Sequence, residues 1–173
     1  IEYYDLDLLP ESHAGDLRRA QEALAGALAR HAHERCRRFD NAPPGLSPQE
    51  TCQRIKGQGG LVSIPHPFDR VRRSVLRQDV LDAILPFIDI VEVFNSRTTL
   101  LRDSQKALEF AKGHNLLAGA GSDAHHPWEL GHVFIEMATF DSVEGFKDSL
   151  RHARIHGRRY SPLYHLVSTW NKL

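Results

Sequence analysis

Apolar positions along this chain recur with two different periods. Four short runs, Leu61 to Ile64, Ile88 to Phe94, Leu116 to Ala120 and Val133 to Met137, are nearly continuous in apolar residues and have strand length. By contrast Leu17, Ala20, Leu24, Leu28 and Ala32 recur at three- and four-residue intervals, the spacing of one helix face. They predict a long helix from about Glu11 to Arg38, opened after Pro10 and preceded by a short strand over Ile1 to Asp7. Arg35, Arg37 and Arg38 crowd its last turn, where the helix dipole favours positive charge.

The segment from Asp40 to Gly45 breaks this pattern with two prolines and a glycine. Ser47-Pro48-Gln49-Glu50 then supplies a capping residue, a proline at the first helical position and an acid in the first turn, so a new helix starts there and ends at Gly57 to Gly60. Further helices are predicted from Gln78 to Leu85, from Leu101 to Lys112 and from Ser142 to Arg151, the last with Asp141 in the capping position. Strands and helices alternate, which predicts an α/β fold on a parallel sheet buried on both faces. Pattern alone leaves barrel and open sheet undecided.

Length narrows the picture. The 173 residues suit one domain, whereas a complete α/β barrel typically needs roughly 250. Lysine plus arginine, 22, equals aspartate plus glutamate, 22, so there is no global attraction to nucleic acid or an anionic membrane, and any anion binding is local. Cys36 and Cys52 are far from C-x-x-C spacing and read as free thiols of a cytoplasmic chain. No apolar run has membrane length and no export signal is visible, so no membrane partner is expected.

Candidate chemistry stands where two of the apolar runs stop, the position of active sites in parallel α/β proteins. His66 follows the first run between Pro65 and Pro67, which stiffen its loop; it reads either as a metal ligand or as a packed histidine bonded to backbone. Asp123 and His125 follow the run ending at Ala120, and the one-residue gap can aim a carboxylate and an imidazole at one ion, with small Gly121, Ser122 and Ala124 crowding neither. A capped turn before Pro127 is the other reading. Carboxylate with imidazole fits zinc, manganese or iron better than calcium.

Glu92 lies inside the run Ile90 to Phe94, where an ionised carboxylate is costly without a partner; it either holds a ligand, is a ligand, or pairs with an arginine. Asn95 and Arg97 leave the same strand end and could grip a phosphate. Arg70, Arg72 and Arg73 form a local basic patch that reads as a solvated face. His31 and His33 lie two apart on a helix, about 200 degrees around the axis, and are rejected as a chelating pair. His126 is a substrate contact at most, and the remaining histidines have no partner spacing.

The runs P-P-G-L-S-P-Q-E-T from Pro43, G-G-L-V-S-I-P-H-P-F-D from Gly59, I-D-I-V-E-V-F-N-S-R from Ile88, G-A-G-S-D-A-H from Gly119 and S-P-L-Y-H-L-V-S-T-W-N-K-L from Ser161 together resemble one family. It is the polymerase and histidinol phosphatase (PHP) family of metal-dependent phosphoesterases. The resemblance runs from about Pro43 to Leu173 and implies a distorted, TIM-like (β/α)7 barrel in which two or three divalent metal ions activate a water against a phosphoester. It casts His66, Asp123 and His125 as metal ligands, with Glu92 and Asn95 lining the site. The opening His-x-His strand and later N-terminal ligands of the family have no counterpart here, so the barrel is expected to be incomplete, its N-terminal strands absent.

On this reading residues 1–173 are the C-terminal part of a single PHP-like domain, with a strand and Arg-rich helix over 1–40 and the ligand-bearing core over 43–173. The expected activity is metal-dependent hydrolysis of a small phosphorylated metabolite or nucleotide. Asp123 would also accept a proton from the attacking water, and Arg97 would stabilise the developing charge. The alternative is a noncatalytic metal-binding or interaction module that lacks the upstream ligands.

Overall fold

The computed structural model describes residues 45–72, 75–125 and 129–159, together with the backbone of strand β1 (Tyr3–Tyr4). The long helix expected from Glu11 to Arg38, with Cys36, His31 and His33, lies outside the described residues, as do Arg73 and His126.

Helix α1 (Pro48–Gly57) begins where its capping chemistry says it should. The Glu50 N–H donates to Ser47 Oγ at 3.2 Å and the Ser47 N–H donates back to the Glu50 carboxylate at 2.8 Å, a reciprocal capping box. At the other end Gly59 adopts φ +75°, and the Gly59 and Gly60 N–H groups return to the carbonyls of Lys56 and Ile55, both at 2.9 Å. Strand β2 (Val62–Ile64) follows at once. Asp89, at the start of β3 (Ile88–Asn95), accepts the Val62 N–H at 2.8 Å and the Lys56 ammonium at 2.8 Å, so one carboxylate ties α1, β2 and β3 together.

Helix α2 (Gln78–Ile84) runs into a 3-10 turn (Leu85–Phe87) that contains Pro86, and α3 (Leu101–Gly113) connects β3 to β4 (Leu117–Gly121). Strands β2, β3 and β4 form one parallel sheet in that order. On one face Val91 and Val93, 0% and 1% exposed, pack with Leu81 and Ile84 of α2 and Ala107 and Ala111 of α3. On the other, Ile90 and Leu117 meet Leu150 of α4 (Val143–Arg151) and the following Ala153. Both faces are covered, which is why these strands are nearly continuous in apolar residues.

A second sheet departs from the all-parallel expectation. Strands β5 (Val133–Glu136) and β6 (Arg154–Gly157) pair antiparallel, and β6 pairs parallel with β1, in the order β1-β6-β5. Ser122 bridges to this sheet, its hydroxyl receiving the Val133 N–H at 3.1 Å and donating to the Val133 carbonyl at 3.0 Å. Helix α4 starts one residue later than expected, because Ser142 and not Asp141 is the cap: the Gly145 N–H donates to Ser142 Oγ at 3.1 Å. The fold is mixed α/β with a parallel sheet. Among the described residues Cys52 is a buried free thiol, and no helix is long and apolar enough to cross a membrane.

Candidate metal centre

Three neighbouring parallel strands end side by side, and each delivers polar groups to the same edge. His66 leaves β2, Glu92 and Asn95 sit near and at the end of β3, and Asp123 leaves β4. The register pairs Ile64 with Val91 and Asn95 with Gly121, so His66 and Asp123 each come two residues after a position paired with β3. His66 and Asp123 both take backbone of positive φ, +30° and +50°, a region non-glycine residues rarely adopt.

A chain of hydrogen bonds links these residues. Glu92 Oε2 accepts the His66 N–H at 2.8 Å and the Asn95 side-chain amide at 3.0 Å, and the same amide lies 3.5 Å from Asp123 Oδ2. Gly121 makes room for this: a Cβ there would stand 2.9 Å from Glu92 Oε1. Burial raises the Glu92 pKa above the ordinary 4.5, against the lowering effect of the Asn95 amide and the His66 N–H. Among the described residues Glu92 thus holds the His66 loop and Asn95.

Arginine reaches the site from elsewhere. The Arg72 guanidinium donates to Asp123 Oδ2 through Nη2 and to Asp69 Oδ2 through Nε at 3.1 Å. Arg97, expected to face a phosphate, is 6% exposed and donates to Glu129 Oε1 at 2.8 Å, while its backbone N–H donates to Asn95 Oδ1 at 2.9 Å. Glu129, 1% exposed, also accepts the His125 N–H, so the buried pair anchors the loop that carries Asp123 and His125. Arg72 and Glu129 were not singled out by the sequence for these roles. The one signal was their place inside the same short segments as His66 and His125.

Two imidazoles are suited to a metal ion. His66 Nδ1 is buried and has no hydrogen-bond partner, an expensive state for a polar atom. His125 Nδ1 lies 2.8 Å from the Asp123 carbonyl, which can only accept; the ring proton therefore sits on Nδ1 and the lone pair is left on Nε2. Backbone bonding of this kind fixes the tautomer of many metal-bound histidines. Imidazole and carboxylate are donor types that divalent ions take, yet among the described residues no three His, Cys, Asp or Glu side chains are grouped to hold one.

The family model described as PHP-associated matches residues 102–155. A second model, described as probable inorganic carbon transporter subunit DabA, matches residues 1–60. An uncharacterised protein of Methanocaldococcus jannaschii is 38% identical over 102 residues, 57% of this chain and 43% of that one. The probable inorganic carbon transporter subunit DabA 2 of Sorangium cellulosum is 42% identical over 67 residues, 39% of this chain and 7% of that protein. Among solved structures, a candidate metal-dependent phosphoesterase from Bifidobacterium adolescentis is similar at a TM-score of 0.46 and 27% identity, covering 64% of this chain and 38% of that one. The chain spans less than half the length of each of these three relatives. The PHP-associated match over residues 102–155 takes in most of α3, all of β4 and the loop of Asp123 and His125, so this part of the chain is similar to that family.

Proposed function

We propose that this chain supplies one side of the divalent-metal centre of a phosphoester hydrolase, with His66, Asp123 and His125 as ligands and a small phosphorylated metabolite or nucleotide as substrate. The parallel β2-β3-β4 sheet is then an arc of a PHP-type (β/α)7 barrel, with the site at its strand ends. What carries the proposal is the convergence of His66, Glu92, Asn95 and Asp123 from three adjacent strand ends into one hydrogen-bonded chain. The unpartnered Nδ1 of His66 and the free lone pair on His125 Nε2 are its ligand chemistry.

When bound, divalent ions supply Lewis acidity toward phosphoryl oxygens and make water more acidic. The chain's own residues do the rest. Glu92 fixes the His66 loop by accepting its N–H, and Asn95 spaces Glu92 from Asp123, which keeps two carboxylates at a set separation. Asp123, 22% exposed, is the carboxylate assigned here to accept a proton from the attacking water, because Glu92 is occupied by the His66 N–H and the Asn95 amide. Arg97 acts through Glu129 on the loop of Asp123 and His125, and Arg72 is a guanidinium that reaches the Asp123 carboxylate.

A second reading is favoured by the match of residues 1–60 to a transporter-subunit model, together with the lack of a three-ligand cluster among the described residues. In it the PHP portion binds an ion and serves a partner without turnover. Titration of the chain with manganese or zinc, followed by hydrolysis of an aryl phosphate, separates the two. The hydrolase proposal expects both binding and turnover, each reduced at least about tenfold in His66→Ala and Asp123→Ala. Binding without turnover supports the second reading; absence of binding sinks both.

A further inference from the structure

The loop after β2 and the first turns of α3 together line a cavity of about 440 Å³ whose polar wall is basic. Arg70, Arg72, Arg102 and Lys106 stand there against two aspartates, Asp69 and Asp103, so positive charges outnumber negative ones four to two. Both aspartates are buried, at 2% and 4% exposure, and both are already engaged. Asp103 accepts two bonds from the Arg70 guanidinium, at 2.9 and 2.8 Å, and Asp69 accepts Arg72 Nε at 3.1 Å. Arg70 and Arg72 are thereby pinned as fixed parts of the wall.

Arg102 and Lys106 differ from them. They lie four positions apart on α3, both exposed, and among the described residues no ion pair uses either. Lys106 rests over the ring of Phe68, itself a lining residue, 4.4 Å from the centroid. Without a ligand this arrangement is unfavourable, because a cation in the first turn of a helix opposes the helix dipole and like charges four apart on a helix repel. An anion in the cavity relieves both.

We propose that the cavity binds the phosphate group of a small molecule, with Arg102 and Lys106 as the groups that contact the anion and Arg70 and Arg72 as a preset positive wall. Guanidinium groups fork onto phosphate oxygens and a lysine adds a point charge. The excess of two positive charges matches a dianion and favours it over a carboxylate. The volume lies within the range of small-molecule pockets, roughly 300–1,000 Å³, and Val75 and Leu76 offer an apolar wall to the rest of the ligand. This site is independent of the metal-centre reading: it requires no ion at Asp123, and Arg72 keeps both of its carboxylate partners.

Calorimetric titration of the full chain with inorganic phosphate and with pyrophosphate, in metal-free buffer at constant ionic strength, tests it. The wild type is expected to bind both anions, and acetate more weakly than either. Arg102→Gln and Lys106→Gln should each weaken phosphate binding roughly fivefold. The double substitution Arg102→Glu with Lys106→Glu should abolish it, with circular dichroism to verify folding; where that variant does not fold, the two glutamine variants at exposed positions decide. Lys112→Gln removes the same charge from the last turn of α3, outside the cavity lining, and should bind as the wild type does. An equal loss in Lys112→Gln, or unchanged binding in the Arg102 and Lys106 variants, overturns the proposal. Phosphate bound only once manganese is added overturns it too, and leaves the metal centre standing. Phosphate bound as expected by a chain that takes up no manganese upholds the cavity and sinks the metal centre alone.

Discussion

His66 and Asp123 each hold a left-handed backbone that costs a non-glycine residue on the order of 1–3 kcal/mol. Such conformations persist only where surrounding contacts fix them, here the Glu92 bond to the His66 N–H and the Arg72 pair at Asp123. The letters Pro65-His66-Pro67 announce a stiff loop but not its sign of φ, because stiffness is local and the fixing contacts come from residues 26 and 51 positions away. His132 shows a second residue-scale consequence of packing. Burial and the Arg158 charge lower its pKa from the ordinary 6.5, and the Arg158 guanidinium, 3.2 Å from Nε2, requires that nitrogen to accept. The folded chain therefore holds His132 neutral while the unfolded chain takes up a proton as pH falls below about 6.5. Folding stability from this group is present above that pH and is lost on acidification toward the lowered folded value. Denaturant unfolding at a series of pH values from 8 to 5 should show a steeper loss for the wild type than for His132→Gln, which has no charge to gain; parallel curves would reject this account.

At the scale of elements, legibility followed how local the determinants are. The start of α1 was readable because Ser47, Pro48 and Glu50 carry the whole capping box within four positions. Strands β2, β3 and β4 were readable because burial on both faces writes itself into nearly unbroken apolar runs. Strand β6 was not, since Arg154-Ile155-His156-Gly157 contains one apolar side chain, and its strand character comes from pairing with β5 and β1. That pairing is nonlocal and leaves no period in the sequence. The local origin of the α1 cap makes its cost predictable. Ser47→Ala removes the acceptor of the Glu50 N–H and the partner that holds the Glu50 carboxylate, so it should lower stability by about 1 kcal/mol. Chemical denaturation measures this directly. Because α1 lies on the far side of Asp89 from the strand ends, manganese affinity should stay at the wild-type value.

Across the whole molecule, the site is assembled by contacts between segments that the sequence keeps far apart. The residues His66, Glu92, Asn95 and Asp123 could be nominated from their strand ends, yet their mutual geometry depends on the register of three strands and on the loop after β4. The buried pair of Arg97 and Glu129 is what fixes that loop. It joins the segment after β3 to the segment before β5, 32 positions on, and Glu129 passes the constraint to the His125 N–H. Both side chains are nearly inaccessible, at 7% and 1%, so removing one partner takes an ion pair from a buried charge where water cannot replace it. Breaking a buried pair in this way costs roughly 3–5 kcal/mol, whereas replacing both members with apolar groups is often close to neutral. Glu129→Ala should therefore lower the unfolding free energy by about that amount. The double substitution Arg97→Met with Glu129→Leu should recover much of the stability, without restoring the acceptor for the His125 N–H. Comparing the two in denaturant unfolding and manganese titration separates the tasks of the pair. A double variant that regains stability but still binds manganese weakly assigns Glu129 to holding the Asp123 and His125 loop in register with His66. Full recovery of both would show that the pair serves the fold alone.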